Sequence, residues 1–307
     1  MDRNEKTGFI GLGSMGEGMA LNLARKQFSL VLYDTRPDQY RGFSEFGSVS
    51  VGSPSEVMRK AATVLTVLPG PKEVEEVILG ADGLLDHAVA GDVIMDLSTV
   101  LPDTSDRLAA ACAAKGVSFV DAPIGRLAQH AWEGTSMFMV GAHKKDFVKI
   151  RSQLEAMGTT IIHCGAPGTG TRTKLCNNFL AIGSCMLNAE FVALTQGFGL
   201  DLTTTLEVIH GTTATNGQLK INYASKVFQG DIEPGFQIDL AHKDLSLILN
   251  AAAEMQVPLP IGAVIRESVS AAKADGGGKK DFSGLADYWC ERAHVDKARI
   301  GTDGQKI

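Results

Sequence analysis

Near the middle of the chain, the run Lys174-Leu-Cys-Asn177-Asn178 carries an amine and two carboxamides at positions i, i+3 and i+4. On a helix these three share one face. A lysine beside two amides can hold an alcohol oxygen and exchange its proton, which is acid/base chemistry. The polar start of a solvent-facing helix has the same composition, but the apolar continuation through Phe179, Leu180 and Ile182 argues against full exposure. Farther on, Asp239-Leu-Ala-His242-Lys243-Asp244 sets a second polar cluster inside an apolar helix. Buried Lys and Asp are rare unless paired, so this cluster either forms an internal ion pair or reaches a site.

A third group of residues can bind phosphate. Gly8-Phe-Ile-Gly11-Leu12-Gly13-Ser-Met15-Gly16 is an apolar strand entering a G-x-G-x-x-G turn, with a helix of small and apolar residues behind it. Gly11 permits the tight turn, Gly13 lets a pyrophosphate approach the backbone, and Gly16 allows close helix–strand packing. The helix N-terminus offers N–H groups and a positive dipole end to the phosphates. Met15 packs in that helix start and can graze the phosphates. The next strand, Ser29–Tyr33, ends in Asp34, near the roughly 20-residue offset of a ribose-binding acid. The combination predicts a dinucleotide site. A carboxylate at Asp34 accepts both adenosine ribose hydroxyls and repels a further phosphate, so NAD is expected over NADP. Arg36 reads as a solvated charge at the start of the next helix, with partial relief of that repulsion as the alternative.

The elements that must position these groups are legible from periodicity. The first half alternates strand-like and helix-like stretches, the pattern of a parallel sheet covered by helices. Strands are predicted over 62–68, 92–97, 117–122, 137–140 and 160–163. Leu68-Pro69 ends the first of these and Ser98-Thr99 follow the second, at carboxyl ends where ligands of open α/β sheets bind. Beyond Gly165 the pattern becomes helical up to about Ala274, with one helix from about Thr171 past Gln196. We therefore expect an α/β Rossmann domain with a doubly wound, mostly parallel sheet over 1–164. An all-α domain over 165–307 should follow, with the active site in the cleft between the two. Gly276-Gly-Gly278 suggests a flexible loop, and Ser283 to Arg292 a last short helix.

Bulk properties exclude other classes. The 307 residues are 44% hydrophobic, enough for substantial cores. The net charge of −6 and the lack of a basic run speak against nucleic acid as a partner. Five widely spaced cysteines without C-x-x-C suggest reduced, mostly buried thiols and no metal site. The polar N-terminus does not read as a signal peptide. Asn188 and Glu190 interrupt the apolar stretch after Leu180, which argues against a membrane span. A cytoplasmic protein is expected. His130, His163 and His210 are isolated and read as structural; Trp132 is given no role.

The glycine turn, Asp96-Leu-Ser98-Thr99, Asp121-Ala-Pro123, the segment from Gly170 to Asn178, and Lys243-Asp244 resemble, in order and spacing, the β-hydroxyacid dehydrogenases. The resemblance runs from about Thr7 to about Ala274. It implies Lys174 as the acid/base at the substrate oxygen, with Asn178 positioning the substrate beside it and Asn177 close by. Ser98 is implied at the substrate, Thr99 at the nicotinamide, and Leu68 and Pro69 along the cofactor. Lys243 and Asp244 are implied to close the site from the second domain, Lys243 near the cofactor and Asp244 near the substrate. Lys174 also separates this chain from the similar imine reductases, which usually lack a lysine there. The resemblance further implies a homodimer or homotetramer.

One motif departs from the family pattern. Most members follow Asp-Ala-Pro with Val-Ser-Gly-Gly, whose backbone N–H groups hold the substrate carboxylate. Here the run is Asp121-Ala-Pro-Ile-Gly125-Arg126. Gly125 and Arg126 are thus substrate-binding candidates, and the rigid fork of a guanidinium suits an oxyanion. This variant resembles the branch of the family that reduces 3-sulfolactaldehyde, a short anionic aldehyde. A carboxylate substrate of the 3-hydroxyisobutyrate, 4-hydroxybutyrate/succinic semialdehyde or tartronate semialdehyde type is the alternative, with Arg126 then pairing a neighbouring acid. A nucleotide-sensing binding protein is the remote third reading, disfavoured by intact Lys174 and Asn178. An ordinary lysine, with a pKa of about 10.4, is protonated at neutral pH and suits reduction, so oxidation should accelerate towards alkaline pH.

Overall fold

Neighbouring strand residues in the first half are apolar in both parities, as a sheet buried on both faces requires. The computed structural model, which describes residues 2–300, contains that sheet. Its strands are β1 (Lys6–Ile10), β2 (Ser29–Tyr33), β3 (Val49–Ser50), β4 (Thr63–Thr66), β5 (Val93–Asp96), β6 (Ser118–Asp121), β7 (Ile124–Gly125), β8 (Ser136–Gly141) and β9 (Gly158–Gly165). Phe9, Leu32, Leu65, Met95 and Val120 pack in one core layer. Their successors or predecessors Ile10, Val31, Val64, Ile94 and Phe119 pack in the other. The register explains this, since Phe9 lies beside Leu32 and Leu65, and Leu65 beside Met95.

The strand order is β3-β2-β1-β4-β5-β6-β8-β7, with β9 pairing β8. The first six strands are parallel and follow the order of the doubly wound dinucleotide-binding fold. Chain order reverses between β1 and β4, so the carboxyl ends of these strands border the crevice where such folds bind ligands. β8 runs antiparallel to β6 and β7 and parallel to β9. Strands β3 and β7, two residues each, are too short for any periodicity to announce.

The chain divides after Leu175 into two compact units. The helix Thr169–Gly197 begins in the first and continues through the second. In the second unit Ile182, Cys185, Met186, Ala189 and Val192, spaced along one helix face, pack with Leu206, Tyr223, Phe228, Leu245 and Leu285. By length and composition this helix could cross a membrane, so Asn188 and Glu190 do not interrupt it as expected. Its apolarity has another use here, because that core face is buried in the second unit. Asn188 is itself buried, in reciprocal amide hydrogen bonds with Asn216 at 2.9 and 3.0 Å. Around Gly276 the chain forms a single wide helical turn broken by a positive φ of 86°. The last helix starts later than expected, at Leu285, after a tight turn over Phe282–Gly284. Cys112, Cys185 and Cys290 are buried, whereas Cys164 is half-buried and Cys176 exposed.

Candidate active site

At the crevice, Gly11 has a φ of +93°, and a side chain there would start 2.2 Å from the Val67 carbonyl oxygen. A Cβ on Gly16 would meet the Gly11 carbonyl oxygen at 1.9 Å. These two glycines are demanded by the protein's own packing. Gly13 is different: the nearest atom to a Cβ there is Arg36 Nη2, at 4.0 Å. The open space at Gly13 fits the approach of a pyrophosphate from outside, so this turn fits a dinucleotide.

Asp34, at the carboxyl end of β2, accepts the Leu12 N–H at 2.8 Å through one oxygen. Its other oxygen accepts Arg36 N–H and Nε–H at 2.9 and 3.1 Å. Burial pushes the Asp34 carboxyl up, but the hydrogen bonds from Arg36 and Leu12 outweigh it and hold the group below its ordinary value. Arg36 is therefore an ion-pair partner of Asp34 rather than a free solvated charge. Tyr40, which the sequence gave no reason to single out, fixes the backbone of Asp34 from both sides: its hydroxyl accepts the Asp34 N–H and donates to the Asp34 carbonyl, both at 2.7 Å.

At the ends of β4 and β5, Ser98 donates its hydroxyl proton to Asp96 at 2.7 Å and accepts the Leu68 N–H at 2.9 Å. Thr66 donates to the same Asp96 oxygen at 2.7 Å. Ser98 thus ties the Leu68-Pro69 loop to β5, and its oxygen keeps one lone pair for anything else. Thr99, next along, is half-buried.

Lys174 is 9% exposed, and its ammonium donates to the Ile124 carbonyl at 2.7 Å. Ile124 and Gly125 form β7 and pair with Phe138 and Met137. Arg126 follows with a φ of +73°, a backbone state that costs an L-residue about 1 kcal/mol. Its guanidinium donates to the Thr135 carbonyl and to the hydroxyls of Thr159 and Thr160 at 3.2 and 3.0 Å. Every one of these acceptors is neutral, and no ion pair of Arg126 is found among the described residues, unlike the pairing that the carboxylate alternative expected.

One turn beyond Lys174 on the same helix, Asn178 is 5% exposed and donates to Asp244 at 2.6 Å. Asn177 donates its side-chain N–H to the Asn178 side-chain oxygen Oδ1 at 3.0 Å. Lys243 lies 3.1 Å from the other Asp244 oxygen. The second polar cluster is thus an ion pair that also orients an amide. With its oxygen taken by Asn177 and one N–H by Asp244, Asn178 keeps one N–H for a ligand. The loop before the helix Ile238–Glu254, which carries Lys243 and Asp244, is fixed by Asp281, fully buried, which accepts the Gly235 and Phe236 N–H groups at 2.9 and 3.0 Å. The three isolated histidines each have local partners: Leu127 N–H for His130, the Ala142 carbonyl for His163 and Thr215 for His210.

A doubly wound sheet, a glycine turn open at Gly13 and an acid at the end of β2 together define a nicotinamide-dinucleotide enzyme, and the comparisons agree. Residues 6–165 match the model of the NAD binding domain of 6-phosphogluconate dehydrogenase. Residues 168–289 match that of the NAD-binding domain of NADP-dependent 3-hydroxyisobutyrate dehydrogenase. The 3-sulfolactaldehyde reductase of Escherichia coli (strain K12) is 35% identical over 277 residues, 90% of this chain and 93% of the relative. The mitochondrial 3-hydroxyisobutyrate dehydrogenase of Mus musculus is 34% identical over 92% of this chain and 86% of its own. The solved 3-hydroxyisobutyrate dehydrogenase of Mycobacterium tuberculosis is 28% identical and superposes with a TM-score of 0.85 over 93% of this chain and 99% of its own. The chain belongs to the β-hydroxyacid dehydrogenase family. It is an NAD(P)-dependent oxidoreductase that acts on hydroxyl groups.

Proposed function

We propose that this protein catalyses the NADH-dependent reduction of a short anionic aldehyde, 3-sulfolactaldehyde to 2,3-dihydroxypropane-1-sulfonate, and the reverse oxidation. The observation that carries the reading is Arg126. It occupies a strained backbone position, holds only neutral acceptors and stands two residues from Ile124, whose carbonyl receives the Lys174 ammonium. A sulfonate beside Arg126 supplies the negative charge that its present partners lack. NAD is the proposed dinucleotide, supported by the ionised Asp34 at the ribose position.

Gly11, Leu12, Gly13, Met15 and Gly16 hold the pyrophosphate in this reading, with Asp34 on the ribose and Leu68, Pro69, Thr99 and Lys243 along the remainder. The nicotinamide, when bound, supplies the hydride for reduction and accepts it in oxidation. Lys174 gives its proton to the substrate oxygen as the carbonyl is reduced, and takes one in the other direction. The free N–H of Asn178 aligns that oxygen, and its orientation is set by Asp244 and Asn177. Ser98 and the Gly125 backbone line the substrate.

A second reading has a specific observation in its favour. The Arg126 guanidinium is already held at three acceptors, as a purely structural arginine would be. In that case a carboxylate substrate is held by the backbone around Gly125. Steady-state assays separate the two, with NADH and 3-sulfolactaldehyde, succinic semialdehyde or tartronate semialdehyde, on wild type and Arg126→Ala. A sulfonate preference lost in Arg126→Ala supports the first reading. Equal or better carboxylate turnover, insensitive to Arg126→Ala, establishes the second.

We further infer a homo-oligomer formed through the long helix. Leu180, Leu187 and Leu194 recur every seventh residue and are 69%, 66% and 58% exposed, a stripe suited to a second copy.

A further inference from the structure

We infer that Asp121 is the positioning residue for Lys174, and the inference rests on the reading of Lys174 as acid/base. Asp121 ends β6, is 1% exposed, and accepts the N–H groups of Gly168 and Thr171 with its two oxygens, each at 2.6 Å. Gly168 immediately precedes the helix Thr169–Gly197 and Thr171 lies in its first turn, where N–H groups lack intrahelical partners. Lys174 stands one turn farther along and returns to the same strand segment, donating to Ile124, three residues after Asp121. The segment 121–124 and the helical turn 171–174 are therefore stapled at both ends, by a carboxylate at one and an ammonium at the other.

The neighbouring backbone leaves this staple no slack. A Cβ on Gly170 would lie 2.2 Å from the Met139 carbonyl oxygen and 2.6 Å from that of Asp121, and a Cβ on Gly141 would lie 2.3 Å from the Asp121 carboxylate. Ser105 braces Thr171 from the other side through a 2.9 Å hydroxyl contact. A rigid helix start transmits any movement of Thr171 directly to Lys174, and misplacing a reacting group by about 1 Å costs roughly 100-fold in rate. Burial pushes the Asp121 carboxyl up to about 6 against the lowering effect of its two N–H donors. The titratable groups facing it are Asp96, its buried register partner on β5, which accepts from Thr66 and Ser98, and Arg172, which pairs with Asp106; His163, on β9, binds the Ala142 carbonyl. Protonating Asp121 replaces an acceptor by a donor facing an N–H, which opens one end of the staple.

The test is a double-mutant cycle on aldehyde reduction with Asp121→Asn, Lys174→Ala and the pair. We expect Asp121→Asn to lower kcat by roughly 100-fold with the cofactor KM within about three-fold. The wild-type fall in kcat below about pH 6 should vanish in Asp121→Asn. The double variant should be no slower than Lys174→Ala alone. If Lys174→Ala retains wild-type turnover, the acid/base reading itself fails. Should Lys174→Ala be inactive while folded Asp121→Asn keeps wild-type kcat and its acid limb, or should the two losses multiply, the positioning role is wrong. Gly141→Ala, whose methyl presses on the Asp121 carboxylate, puts the same question if Asp121→Asn does not fold, read by the same kcat and KM split.

Discussion

Asn178 donates to Asp244 over 2.6 Å while Lys243 sits 3.1 Å from the opposite oxygen of the same carboxylate. The carboxylate thereby fixes an amide and an ammonium at once. Asp244→Asn removes the charge that holds Lys243 and allows the Asn178 amide to turn. We expect kcat to drop by roughly 10- to 100-fold and the cofactor KM to rise as Lys243 is released. Unchanged kinetics in a folded variant would show that Asn178 orients itself.

Lys174 is buried against a neutral carbonyl. Replacement by Ala should cost about 100- to 10,000-fold in kcat, the usual range for a general acid/base, while NADH still binds by fluorescence titration. Because oxidation needs the neutral amine, its rate should climb from neutral towards alkaline pH. A flat oxidation profile over that range would remove lysine as the base.

We propose that the Asp34–Arg36 ion pair sets the choice of dinucleotide. Asp34→Ser removes the carboxylate that repels a ribose phosphate and frees the Arg36 guanidinium to bind one. We expect kcat/KM for NAD to fall and that for NADP to rise, for a combined swing of roughly 100-fold or more. Arg36→Ala in the wild-type background should weaken NADP use most. If both variants leave the NAD/NADP ratio where it was, discrimination lies elsewhere.

Asp121 also links stability to pH. Its folded value of about 6 lies above its ordinary 3.8, so the native state holds a proton that the unfolded chain has released. The stabilisation is present at low pH and is lost as pH rises through about 6. Between about pH 5 and 8, wild type should lose on the order of 1 kcal/mol relative to Asp121→Asn, measured by denaturant titration. No change in the gap between the two proteins would mean that Asp121 is ionised throughout. The ionised form needed to clasp the helix is thus the less stable one, a cost borne for the position of Lys174.

The apolar stripe predicts assembly. Leu187→Glu should shift the protein to a smaller species in light scattering, with the helical content unchanged. A wild-type monomer at micromolar concentration would end that proposal.

Local rules made much of this protein legible from its residues. The glycine turn, the strand into Asp34 and the long helix follow from periodicity and from the conformations that glycine alone permits, each set within a few residues of chain. Family motifs in register supplied Lys174, Asn178 and Asp244, but their partners were not local. Asp121 meets Thr171 across 50 positions, and Asn178 meets Asp244 across 66. Such pairs depend on where a sheet edge and a helix end are carried in space, and no spacing rule reaches that far. Arg126 makes the same point: its residue type suggested an anion-binding role, yet its bonds to Thr135, Thr159 and Thr160 arise because β7 turns back along β8, which pairs with β9. Sequence alone determined which chemistry this chain carries, since residue types and short-range periodicity are local. Tertiary structure alone decided which carboxylate holds which donor, because a buried charge is set by the neighbours that folding brings to it.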